Sequence, residues 1–238
     1  MRIGKATIDS PDDWRLELTA VTQHLLGDTI TLSDDDWQVA TRLPGWSRAH
    51  VATHLAHHAE ILTDMALEIG STHKQITWRG NQTDSDLNAG ALRGALELQE
   101  HLDRSSAGLM RAFDQMDPRA WATTLRTSQG PIPASTLMLD RLNEVVIHHI
   151  DLDLGFDFAD IGPELTRILL QWNLFRAAPR FTSIKLTVTS DEGFSTVLGR
   201  GPKVTLRGSE ANLVGWLTGR KDSSVVLGAE DLDLSGPV

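Results

Sequence analysis

The 238-residue sequence contains no cysteine. That single absence excludes disulfides, thiolate metal sites, iron–sulfur clusters and a cysteine nucleophile, so any thiol chemistry must use a thiol from outside. No apolar run approaches the ~18 residues that a membrane-spanning helix needs. The start, Met1-Arg2-Ile3-Gly4-Lys5, lacks the apolar stretch of a signal peptide, so a cytoplasmic location is expected. Basic residues are in deficit: 22 against 32 acids, a net charge of −10. Nucleic acids and anionic membranes both require cationic surface, so neither is an expected partner. Several catalytic signatures are missing as well. Gly193-Phe194-Ser195-Thr196-Val197 lacks the closing glycine of a nucleophile elbow. No glycine-rich turn runs into Gly-Lys-Ser/Thr, Gly199-Arg200-Gly201 has no third glycine, and His-Glu-x-x-His does not occur.

Tyrosine is absent too, but nine histidines and seven tryptophans stand out. Helical periodicity with start and stop signals predicts four long helices. The first opens at Ser10-Pro11 and carries Leu16, Leu18, Val21, Leu25 and Leu26 up to Gly27. After a loop over 31–36, the turn Pro44-Gly45-Trp46 leads into a second helix capped by Ser47 and ended near Gly70. A turn-rich stretch over 71–88 precedes a third helix, 91–116, whose stripe includes Leu92, Leu96, Leu98 and Leu102. A loop closed by Pro131 and Pro133 leads to a fourth helix, 134–154. Beyond Gly155 the pattern changes. It predicts a helix over 162–178, strands over 184–188, 194–198 and 204–206, a short helix over 209–219, and edge strands over 223–227 and 232–234. The expectation is an α+β chain: a four-helix bundle over 1–158 and a smaller α+β domain over 159–238.

The second and fourth helices carry the chemistry. His50, His54 and His58 recur at i, i+4, i+8 and share one face with Val51, Leu55 and Leu62, so at least one imidazole should enter the bundle. On the fourth helix Glu144, His148 and Asp151 form a polar column among apolar neighbours. Burying a carboxylate is costly without compensating positive charge. A metal ion held by two ligands on one helix and one on a facing helix supplies it. Imidazole and carboxylate suit zinc, with a fourth position left open, although nickel or iron accept the same donors. Either motif alone is equally what a solvated helix face carries; their combination points to a metal. Spacing does not separate His54 from His50 or His58. His24, His57, His73, His101 and His149 read as ordinary surface or core histidines, and Arg141 as a partner of Glu144 or of a backbone carbonyl. Asp151 either orients a ligand histidine or is a solvated helix-end acid.

Three segments resemble motifs of the mycothiol-dependent maleylpyruvate isomerases, within the wider DinB-like metal-binding bundles. They are Leu43 to Ala56 (LPGWSRAHVATHLA), Arg141 to Leu152 (RLNEVVIHHIDL) and Leu217-Thr218-Gly219-Arg220. The resemblance spans most of the chain and implies a DinB-like helix bundle with an α+β tail. It implies that His54, Glu144 and His148 bind zinc, and that Arg220 is catalytic, holding a substrate carboxylate or developing enolate. It implies mycothiol, a diffusible thiol, as cosubstrate: metal-activated thiolate would add to the cis double bond of maleylpyruvate, the new single bond would rotate, and elimination would leave fumarylpyruvate. His57 and His58 depart from the family pattern and leave room for a different substrate. The rival expectations are a mycothiol S-transferase using the same metal, and a non-catalytic DinB-like metal-binding regulator. Partners are expected to be a small carboxylate substrate and a low-molecular-weight thiol, with the protein a monomer.

Overall fold

The computed structural model describes residues 11–79, 83–128 and 130–232. The chain divides after Gly155 into a helical unit and a C-terminal unit. In the helical unit, α1 (Pro11–Thr29), α3 (Arg48–Thr72), α5 (Ala95–Asp114) and α7 (Thr136–Asp151) are the long helices. α3 packs on α5 and α7, and α1 packs on α7 and α5, which closes a four-helix bundle. Leu18, Leu25, Leu55, Leu62, Leu102, Leu109 and Leu142 are among the side chains that fill it. α7 is the central helix: every residue of it is buried except Glu144, which is only part-exposed. A helix apolar on nearly every side belongs in such a position.

Short elements sit between the long ones, and here the structure departs from the sequence expectations. The expected Ser10 cap of α1 lies outside the described residues. The expected loop at 31–36 contains α2 (Asp34–Trp37), capped by the Ser33 hydroxyl on the Asp36 N–H. α3 starts after Ser47 as expected but runs to Thr72, closed by His73 in the left-handed conformation. The expected third helix starts later, as α5 with Gly94 as its N-cap, and α4 (Asp84–Gly90) forms in the stretch expected to be turn-rich. Leu92, before α5, and Leu96, in its first turn, belong to the expected apolar stripe but are exposed to solvent. Pro131 and Pro133 lie in a strand rather than a loop. β1 (Ile76–Thr77) pairs in parallel with β2 (Thr124–Thr127), which pairs antiparallel with β3 (Gly130–Pro133). β3 is at the edge of this sheet, where a residue without an N–H is tolerated.

In the C-terminal unit α8 (Pro163–Ala177) packs against α9 (Glu210–Leu217), which begins at the capping hydroxyl of Ser209. The sheet order is β5-β4-β6, from β4 (Lys185–Ser190), β5 (Ser195–Leu198) and β6 (Lys203–Gly208). β5 is antiparallel and β6 parallel to β4. The buried carboxylate of Glu210 is met by the Arg167 guanidinium and, at 2.9 Å, by the Ser190 hydroxyl. The expected edge strand over 223–227 reduces to one 3-10 turn, Ser223–Val225, and a single bridge between Arg207 and Leu227. The one expected over 232–234 lies largely outside the described residues. Among the described residues, no helix is long and apolar enough to cross a membrane.

Candidate metal centre

α3 and α7 face each other and run in opposite directions, so their side chains meet as rungs. In the first rung His54 Nε2 lies 3.1 Å from Glu144 Oε2. One turn further along α3, and one turn earlier on α7, His58 Nε2 lies 3.0 Å from Asp140 Oδ2. His148, one turn beyond Glu144, turns its own Nε2 to the same carboxylate oxygen at 3.3 Å. One donor atom each from His54, Glu144 and His148 therefore falls within 4.8 Å of the others. Four ligands ~2.0–2.1 Å from a zinc ion stand about 3.3 Å apart in a tetrahedron. Two edges of the cluster, 3.1 and 3.3 Å, are close to that length, so the donor set fits a small divalent cation.

The stripe on α3 separates once partners are known. His50 is occupied: its Nδ1 accepts from the Ser47 N–H at 3.1 Å, and its Nε2 faces Asn88 Oδ1 at 3.2 Å. His58 is committed to Asp140, with Arg141 Nη1 3.5 Å from its Nδ1. Only His54 of the three reaches Glu144. Arg141 is itself buried and donates to Leu55 O at 2.7 Å and Ser106 Oγ at 3.2 Å. Burial lowers its pKa to about 10, and the nearby carboxylates of Glu144 and Asp140 oppose that shift. Asp151 is not a solvated helix-end acid: it is fully buried, and its Oδ2 lies 2.9 Å from His148 Nδ1, off the line of the ring N–H.

The electrostatics of the metal-free site follow from these contacts. Burial would raise the Glu144 carboxyl, but hydrogen bonds from His148 and His54 outweigh it and hold the group well below the usual carboxylate range. Burial would lower His148, yet Asp151 and Glu144 on either side raise it. His54 is lowered by burial, only partly offset by Glu144. Glu144 is thus held toward its anion, His148 toward its protonated form and His54 toward its neutral form.

A second histidine–carboxylate group, His57, Glu60 and His101, lies on α3 and α5. Sequence reasoning passed over it, although His57 and Glu60 stand at i, i+3. Arg93 Nη1 sits 2.6 Å from His101 Nδ1, and a guanidinium can only donate. The His101 proton is thereby placed on Nε2, which faces Glu60 Oε1 at 2.8 Å. This ring is a link in an Arg–His–Glu chain, and the charge of Arg93 disfavours a cation there. The Asp140–His58 rung was also missed, though its signal is simple: each member is one helical turn from a residue already singled out. Arg220 belongs to the C-terminal unit, just beyond α9, where its guanidinium donates to Thr218 O.

A family profile described as "Mycothiol maleylpyruvate isomerase N-terminal domain" matches residues 18–153. Among solved structures, the chain is similar to a mycothiol-dependent maleylpyruvate isomerase, with a TM-score of 0.79 and 21% identity over 94% of this chain and 95% of that one. It is similar to a histidine-to-alanine mutant of a mycothiol-dependent maleylpyruvate isomerase, with a TM-score of 0.78, 21% identity and the same coverage. At this identity the likeness is one of fold. No curated protein matches significantly.

Proposed function

The chain belongs to the mycothiol maleylpyruvate isomerase family, whose N-terminal-domain profile spans more than half of it, and on that premise we propose that it is a metal- and mycothiol-dependent cis–trans isomerase converting maleylpyruvate to fumarylpyruvate. The observation that carries the reading is the convergence of His54, Glu144 and His148 at metal-ligand spacing. These three residues would hold zinc. When bound, the metal supplies a Lewis acid beside which a visiting thiol loses its proton near neutral pH. The chain's residues do the rest. Glu144 contributes the anionic donor, and two imidazoles flank it. Asp151, buried against His148 Nδ1, holds that ring with Nε2 toward Glu144. The half-buried position of His54 leaves one side of the cluster approachable.

In the proposed reaction the mycothiol sulfur adds to the cis double bond, and the displaced electron pair moves onto the adjacent carbonyl oxygen as an enolate. The new single bond rotates. The enolate then re-forms the double bond and expels the same thiolate, so no proton, oxidant or reductant is consumed. Arg220 is proposed as the cation for a substrate carboxylate or the enolate oxygen, because its planar fork pairs with two oxygens at once.

The test is turnover by purified, zinc-loaded protein, followed through the vinyl proton resonances of the substrate. Conversion of maleylpyruvate should require mycothiol and should vanish in His54→Ala. No conversion by the wild type refutes the reading. Accumulating thiol adducts of other electrophiles would point to an S-transferase, and metal uptake with neither reaction to a binding protein.

A further inference from the structure

Trp46 lies in the first sequence motif, yet neither the core nor the proposed chemistry accounts for it. A large aromatic side chain is half-buried beside the candidate metal ligands rather than packed inside the bundle. Its loop is held on every side. Thr41 donates to Trp46 O through N–H and Oγ1, each at 2.9 Å, and Trp46 N–H donates to Leu43 O at 3.1 Å. Gly45 supplies the left-handed step, φ 80°, that the turn requires. The loop is also pinned to the end of α7. Arg42 N–H donates to Asp151 O at 3.2 Å, Arg48 Nε to Leu152 O at 2.8 Å and Arg48 Nη2 to Asp153 O at 3.1 Å. The Arg42 guanidinium pairs with the Asp153 carboxylate.

The indole is thus fixed relative to the helix that carries Glu144 and His148. It lies nearly parallel to the His148 ring, 14° between planes and 6.3 Å between centroids. It meets His54 at 5.6 Å and His50 at 6.4 Å. His50 cannot move aside, because both its nitrogens are engaged. We propose that Trp46 is a positioning residue for the metal centre, its indole holding the His54 and His148 rings in the orientation that turns both Nε2 atoms to Glu144. Imidazoles bound to a dication carry positive charge, and the negative face of an indole stabilises such rings.

The inference rests on the metal reading above and deepens it. The test titrates the metal-free full chain with Co²⁺, as wild type, Trp46→Ala and Trp46→Phe, reading affinity by chelator competition and ligand geometry from the visible d–d bands. Folding is checked by circular dichroism, and if Trp46→Ala does not fold, Trp46→Leu is read in its place. Removal of the indole should weaken Co²⁺ binding by about 10–100-fold, the usual effect of losing a partner behind a metal ligand, and should change the bands. Trp46→Phe, which keeps an aromatic face, should stay within about threefold of wild type. A folded Trp46→Ala or Trp46→Leu with wild-type affinity and unchanged bands overturns the proposal. A wild type that takes up no Co²⁺ sinks the metal reading itself, a result distinct from an indifferent indole.

Discussion

Replacing Glu144 by Gln keeps the side-chain volume and one acceptor oxygen, removes the charge and puts an NH2 donor in place of the other oxygen. In the metal-free protein two opposing effects follow. Two charge-assisted hydrogen bonds, from His54 at 3.1 Å and His148 at 3.3 Å, become neutral ones, a loss of about 1 kcal/mol each. The desolvation cost of a buried carboxylate, several kcal/mol in size, disappears at the same time. Because the hydrogen bonds outweigh that cost in the native site, metal-free Glu144→Gln should be less stable than wild type at neutral pH. Zinc binding should change greatly. Losing a partner behind a ligand costs about 10–100-fold in affinity, so losing the only anionic ligand should cost at least 100-fold. At zinc concentrations of ~100 times the wild-type Kd, linkage stabilises the wild type by about 2.7 kcal/mol and the variant by about 0.4 kcal/mol. For a unit of this size that corresponds to a rise in Tm of about 5–11 °C against about 1–2 °C. Thermal unfolding of both proteins with and without zinc measures the difference, with His73→Gln as a control for adventitious binding. A zinc-induced shift in Glu144→Gln equal to that of wild type would refute the assignment.

Four further outcomes follow from the geometry. A Cβ on Gly90 would lie 2.2 Å from Thr53 Cγ2, so Gly90→Ala should destabilise by about 1–3 kcal/mol through overpacking where α4 meets α3, read as a lower urea midpoint. Arg141→Met removes the bonds to Leu55 O and Ser106 Oγ and leaves Asp140 and Glu144 without their buried cation; a loss of about 3–5 kcal/mol is expected in thermal unfolding, and a neutral result would show that the cation is dispensable. For the metal-free protein, His54 and His149 are depressed below their ordinary 6.5 mainly by burial, so their contribution is present above pH 6.5 and declines as the unfolded chain takes up protons below it. The raised His148 acts oppositely, fully stabilising below 6.5 and fading as pH rises through its folded value. The depressed Glu144 stabilises above its ordinary 4.5 and loses that contribution as pH falls through its folded value, so Glu144→Gln should flatten the acid limb of urea midpoints measured below 4.5. Finally, Arg220→Lys should lower turnover while zinc content, read by elemental analysis, stays at the wild-type level, because a lysine keeps the charge but not the bidentate fork; loss of zinc in that variant would contradict the role given to Arg220.

What was legible in the residues was whatever local physics decides. The Pro44-Gly45 turn, the Ser47 cap and the polar column of α7 all act within a few residues, and they located the helices and the carriers of the site. What was not legible depends on a partner far away in the chain. α4 forms in the stretch read as turn-rich, with Gly90 against Thr53, and no local turn signal records that contact. Pro131 and Pro133 can occupy a strand because that strand is an edge, a fact about the sheet. The ambiguity among His50, His54 and His58 has the same origin, since a helical face treats all three alike and only the register against α7 distinguishes them. Yet that register has a consequence the sequence already contains. In antiparallel helices, stepping forward one turn on one means stepping back one turn on the other. Once His54 is paired with Glu144, the next rung must bring position 58 to position 140, where a histidine and an aspartate stand. One long-range contact thus converts two periodic patterns into a ladder. Its deeper rung is closed by Asp140, His58 and Arg141, and its outer rung opens toward the part-exposed edge of the bundle, where a metal and a thiol would be received.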